Sequence, residues 1–139
     1  MPRSFARVRA LLIASGGATR AAFKAAESAD IEAVLHPLRR SASMAQVASG
    51  FDVVVIDVDT ASDLQLVSEL CARPGSPAVV AMASRGFAGK SLEYVLVIAE
   101  IRGASATLAG HVDTFEFRNA ILAAAPRLQS AAGPERRIG

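Results

Sequence analysis

Residues 53–56 read Val-Val-Val-Ile, a β-branched run with no polar residue to turn toward water. Successive side chains of a strand point to opposite faces, so a sheet wetted on one side alternates apolar with polar. An unbroken run needs cover on both faces, and helices joining parallel strands supply it. PAVVAMA, from Pro77, has the same character. The run at 51–57 also ends on a carboxylate, Asp57, with Asp59 just beyond it. Any fold for this chain has to bury that strand and account for the aspartates at its far end.

Strand-like and helix-like stretches alternate along the whole sequence. RVRALLIA (7–14) reads as a first strand, and GGATRAAFKAAESA, from Gly16, as a helix with Ala22, Phe23 and Ala26 on one side. IEAVL (31–35) is a second strand ending before Pro37, and a weak helix at about Ser43 to Ala48 stops at Gly50. After the strand at 51–57, Thr60 is a good N-cap for a helix near 61–73. Asp63 stands at its third position, and Leu64, Leu66, Val67 and Leu70 form its apolar face. The turn RPGS (73–76) leads into PAVVAMA, and the loop SRGFAGK follows. A strongly apolar helix spans Ser91 to Arg102 and closes at Gly103, and SATLAG is a short fifth strand. Asp113 caps a last helix carrying Phe115, Phe117, Ile121 and Leu122, which Pro126 ends. Five such units imply an α/β doubly wound parallel sheet with helices on both faces, where ligands collect at the carboxyl ends of the strands. Asp57 and Asp59 lie at that end.

The 139 residues suit one domain, expected over 1–126, with 127–139 as a flexible tail or linker. A single cysteine, Cys71, excludes an internal disulfide framework and fits a reducing cytoplasm. No apolar run nears the ~20 residues that cross a bilayer. The N-terminus MPRSFARVRA runs straight into a strand, so neither a signal peptide nor a membrane partner is expected. The net charge is +2, yet residues 10–126 hold nine Lys/Arg against twelve Asp/Glu. The excess is in Arg3, Arg7, Arg9, Arg127, Arg136 and Arg137, expected to lie in frayed ends. A nucleic-acid groove needs clustered positive charge on a folded face, so direct nucleic-acid binding is not expected.

The order of the units, the VVVID-VDT segment at the third strand and the closing GASATLAGHVDTFEF, from Gly103, resemble the receiver domain of bacterial response regulators. The likeness runs from about residue 7 to 126. It implies a five-stranded flavodoxin-like sheet in the order 2-1-3-4-5. It also implies two-component signalling or a phosphorelay, in which a histidine kinase phosphorylates an aspartate closing the third strand, here Asp57. In that family an acidic pair after the first strand helps to bind Mg²⁺; this sequence has Ala14 and Ser15 there. The usual lysine after the fifth strand falls on Gly110, with His111 in place of proline. The Thr or Ser ending the fourth strand falls on Ala83 or Ser84, and the aromatic switch residue on Thr107. Phosphoryl transfer rests on positioning and on stabilising spread negative charge, so a chain lacking these groups reads as a degenerate, pseudo-receiver form. No enzyme activity, resident metal or cofactor is expected of it, Mg²⁺ entering only if Asp57 is a phosphoacceptor.

Each residue also has a plainer reading. Asp57 is either a phosphoacceptor or a strand-end carboxylate satisfied by backbone N–H groups of the next loop. Asp59 is either its partner or a loop carboxylate near a helix start. The Gly16–Gly17 turn could hold a nucleotide or FMN phosphate, but it matches no phosphate-loop pattern. His36 and His111 stand apart from any second metal ligand and read as surface or capping residues. Cys71 reads as a small buried apolar residue. The run Tyr94 to Ile98 turns apolar groups around most of its helix. This implies either a thicker core or a contact face centred on Tyr94, Leu96 and Val97 with Phe115. In receivers the surface of the fourth helix, fifth strand and fifth helix takes a second copy, a kinase or an output domain. The leading expectation is a module acting by protein contact, with phosphorylation at Asp57 and small-molecule binding as alternatives.

Overall fold

The structure is a computed structural model and describes residues 7–36 and 44–125. The tail expected at 127–139 lies outside the described residues. The elements are β1 (Val8–Ile13), α1 (Gly17–Ala25), β2 (Ile31–Leu35), α2 (Met44–Ala48) and β3 (Val53–Asp57). They continue with α3 (Ala61–Cys71), β4 (Ala78–Ala83), α4 (Leu92–Ile101), β5 (Ala106–Ala109) and α5 (Thr114–Ala124). The five strands are all parallel in the order β2-β1-β3-β4-β5. The expected doubly wound sheet is therefore the observed one.

The run that demanded two covered faces has them. Val53 and Val55 pack with Phe23 of α1 and with Phe117 and Ile121 of α5. Val54 and Ile56 pack on the other face with Leu64 and Val67 of α3 and with Val95 and Ala99 of α4. All four strand residues are fully buried. Two helix starts follow the sequence signals closely. Thr60 and Asp63 form a reciprocal capping box on α3, and Asp113 and Glu116 form another on α5.

β3 starts two residues later than expected, because Asp52 turns its carboxylate to accept the Arg9 N–H at 2.9 Å. The two arginines before and within β1 are not frayed. Arg7 donates to the carbonyls of Ser28 and Ile31 at 3.0 and 3.1 Å and pairs with Glu27. Arg9 pairs with Glu32 at 3.2 Å, donates to the Gly50 carbonyl at 2.7 Å and lies 4.6 Å from the Phe51 ring centroid. The positive charge at this end is therefore engaged in joining β1 to β2 and to the turn before β3. Replacing Arg9 by Ala removes all three contacts. It is expected to lower stability by about 1–2 kcal/mol in urea denaturation, whereas Arg9→Lys recovers only part of that.

His36 also departs from expectation. It is buried at 6% exposure, with its backbone N–H donating to the Leu12 carbonyl. Cys71 is only partly buried, packed beside Gly103, and burial pushes its thiol pKa up.

Candidate functional site at the carboxyl end of the sheet

The register of the sheet sets the neighbours of Asp57. β3 pairs Ile56 with Ile13 of β1 and Asp57 with Met82 of β4, and the Val58 N–H donates to the Met82 carbonyl at 2.7 Å. Ala14 therefore follows β1 on one side of Asp57, and Ala83, Ser84 and Arg85 follow Met82 on the other.

The chain then turns into α3 under the control of Asp63. Its Oδ2 accepts the N–H of Asp59 at 2.8 Å, the N–H of Thr60 at 3.0 Å and the Thr60 hydroxyl at 3.2 Å. The donors expected to satisfy Asp57 are thereby taken. Asp57 Oδ1 is buried and accepts no hydrogen bond among the described residues. Burial pushes the Asp57 carboxyl up to a pKa of about 6, and the negative charges of Asp59 and Asp63 add to the effect. Arg85 opposes it.

Sequence reasoning passed over Arg85. The signal was present in its position, three residues past the strand partner of Asp57 in SRGFAGK. The loop bearing it is closed on itself. Ala88 (φ 52°) and Gly89 (φ 79°) make a tight turn in which the Lys90 N–H reaches the Phe87 carbonyl at 2.9 Å. A Cβ on Gly86 would collide with the Lys90 carbonyl oxygen, so only glycine fits there.

The other strand ends carry no acid. Arg20 crosses the end of β1, one guanidinium nitrogen donating to the carbonyls of Ala14 at 2.9 Å and His36 at 2.8 Å. Gly16 opens α1 without a side-chain cap, and the first turn of α1 has no acidic residue. Ala83 is buried, Ser84 exposed. At the end of β5, Gly110 (φ 79°) donates its N–H to the Ala83 carbonyl, and His111 is exposed. Among the described residues no three His, Cys, Asp or Glu side chains are disposed to hold a metal ion. The donor set does not fit the Mg²⁺ that the resemblance implies: Asp63 is committed to its cap, which leaves Asp57 and Asp59.

No protein-family model and no curated protein matches the chain. Solved structures do. A response regulator from Thermotoga maritima superposes with TM-score 0.71 at 12% identity, covering 87% of this chain and 99% of that one. The signal receiver domain of NarL from Mycobacterium tuberculosis gives 0.64 at 14%, covering 86% and 97%. A pilus assembly-related protein from Burkholderia pseudomallei gives 0.61 at 16%, covering 86% and 90%. The chain has the receiver fold.

In this receiver fold the positions singled out from the sequence come together in one place. Ala14, Ser15, Asp57, Asp59, Ala83, Ser84, Gly110 and His111 all stand at or just past carboxyl ends of strands. Thr107 is half-buried on β5. The expected contact residues divide. Tyr94 and Val97 are about equally half-exposed and Phe115 is 66% exposed, whereas Leu96 packs partly against the core. Ile101, not singled out, is 77% exposed and is the most open large apolar side chain of the described residues. No helix of the described residues is long and apolar enough to cross a membrane.

Proposed function

We propose that this domain is a receiver-fold signalling module that works by contact with another protein, without the usual Mg²⁺-dependent phosphorylation of its strand-end aspartate. The observation that carries the reading is the setting of Asp57. Its neighbour at the end of β1 is Ala14, capped by Arg20 and not by an acidic pair. Its own Oδ1 is buried without a donor. A hard divalent cation needs several oxygen ligands, and an acyl phosphate needs fixed positive partners. The exposed apolar side chains of α4, Tyr94, Val97 and Ile101, support a working surface on that helix. A second copy of the chain, a histidine kinase or an output domain is the class of partner that the resemblance suggests.

A second reading has one observation in its favour. The Arg85 charge acts on Asp57 from the side of the sheet next to Gly110, where the family lysine is missing. A slow phosphoacceptor using Arg85 as its cation is thus the alternative. Incubation with Mg²⁺ and acetyl phosphate, followed by intact mass measurement, decides between them. No mass gain is expected. A gain of one phosphoryl group on the wild type that Asp57→Ala lacks would establish the alternative.

A further inference from the structure

We infer that Arg7, Lys24 and Glu27 form a guard over the outer edge of β2 that keeps the sheet from adding a strand of a second copy of the chain. The inference depends neither on the chemistry of Asp57 nor on the apolar face of α4.

An edge strand offers a row of backbone N–H and C=O groups to any strand that comes alongside. In a parallel pair, alternate residues turn both groups to the neighbour, and the residues between them turn both outward. The Val8 N–H donates to the Asp30 carbonyl and the His36 N–H to the Leu12 carbonyl. With Val8 in register with Ile31 and Leu12 with Leu35, the even-numbered residues of β2 therefore face β1. Ile31, Ala33 and Leu35 face away from it. The side chains of β2 do little to blunt this edge. IEAVL has no Lys or Pro, and its one charge, Glu32, is paired with Arg9 of β1.

The cover comes from outside the strand. The Ala33 N–H donates to Glu27 Oε2 at 3.3 Å, and the Ala33 carbonyl accepts from Lys24 Nζ at 2.8 Å. The Ile31 N–H donates to the Ser28 carbonyl at 3.3 Å. The Ile31 carbonyl accepts the Ser28 N–H at 2.9 Å and Arg7 Nη2 at 3.1 Å. All four outward groups of these two residues are taken. The three side chains also hold one another, Glu27 pairing with Lys24 at 3.2 Å and with Arg7 at 3.6 Å. The hydrogen bond from Lys24 holds the Glu27 carboxyl below the usual carboxylate range, so it stays ionised at neutral pH. β5, the opposite edge, is shorter at four residues, and no side chain hydrogen-bonds to its backbone among the described residues. The guard is particular to β2.

Without it a second copy fits. A two-fold axis beside Ala33 sets Ala33 opposite Ala33 and Ile31 opposite Leu35 in an antiparallel pair. Glu32 then stands opposite Val34, so no like charges meet. With the guard in place, of the three outward residues only Leu35 lacks a partner for its outward groups among the described residues. One residue is too short a ladder to hold a strand.

Amide hydrogen exchange on the whole chain reads each outward group separately. In the wild type the Ala33 amide is expected to exchange as slowly as that of Val34, which faces β1, at low and high protein concentration alike. In Lys24→Ala/Glu27→Ala it should exchange about tenfold faster in dilute solution, the effect of one lost hydrogen bond. Concentrated, the same variant should regain protection at Ala33 and gain it at Leu35, as a second copy pairs along β2. Glu27→Gln keeps an acceptor for Ala33 and should stay close to wild type. Glu69→Ala/Arg73→Ala removes the same charges from exposed positions at the end of α3 and should leave β2 indifferent to concentration. Rapid exchange of Ala33 in the wild type would overturn the inference whether or not any variant folds. So would β2 amides that ignore concentration in the truncated guard, or an equal gain of protection in the α3 control. Self-association through α4 would leave Ala33 and Leu35 unmoved, so the contact-module reading and this one fail separately.

Discussion

Asp57→Asn is expected to make the protein more stable at neutral pH and to leave it unchanged in acid. The Asp57 carboxyl titrates near pH 6 in the fold, against an ordinary value of 3.8, chiefly because it is buried. A carboxyl whose pKa rises on folding binds its proton more tightly in the folded state, so folding is favoured where the proton is on. Below about pH 4 the group is protonated in both states and adds no penalty. Between about pH 4 and pH 6 the unfolded chain ionises first and stability falls; above pH 6 the full penalty is present. Water still reaches part of this group, so the penalty is about 1–2 kcal/mol and not the value a sealed site would give. Asn keeps the size, carries no charge and removes that penalty. Melting curves should show a rise of about 3–8 °C at pH 7.5 that vanishes by pH 4. Removing Arg85, which opposes the shift, should move the inflection of the wild-type profile to higher pH. A flat difference between Asp57→Asn and wild type across this range would mean that the carboxylate is better solvated or better paired than the geometry has it.

The elements that could be read from the sequence are those whose causes are local. The run at 53–56 determines its own burial, and Thr60 with Asp63 or Asp113 with Glu116 lie within one helical turn of each other. What escaped depends on competition between groups. Asp63 was recognisable as a cap and Asp57 as a carboxylate near free N–H groups. Only in three dimensions does the first take the donors the second would use. Arg7 and Arg9 looked like a basic end because their partners, Glu27, Glu32 and the Gly50 carbonyl, come from later segments of the chain. His36 read as a surface or capping residue and is buried. On α4 the sequence left two readings open, and the depth of each residue separates them. Leu96 serves the core, while Tyr94, Val97 and Ile101 do not.

Phe117→Ala is expected to cost more stability than the loss of Arg9 or any change at Asp57 or on α4. Its comparison with Phe115→Ala tests the assignment of the two faces of α5. The Phe117 ring meets that of Phe23 edge to face, with centroids 5.4 Å apart and planes at 88°, and both rings are fully buried between helix and sheet. Thr114 fixes the start of α5 against α1 by donating its hydroxyl to the Ala22 carbonyl at 3.0 Å. Truncating Phe117 leaves a ring-sized cavity beside Val55 and Ile121 that the sheet cannot collapse to fill. The loss should be about 3–5 kcal/mol in urea denaturation, with an unchanged dependence on urea. Of the roughly 5–15 kcal/mol that usually holds a domain of this kind together, that is a large share. Phe115 precedes it by two residues but points to water, so Phe115→Ala should stay within about 0.5 kcal/mol of wild type. In a double-mutant cycle Phe23 and Phe117 should couple by about 0.5–1.5 kcal/mol, beyond their separate losses of buried area. If Phe115 proved as costly as Phe117, α5 would have to be rotated about its axis relative to the sheet, and its open aromatic would belong to the core.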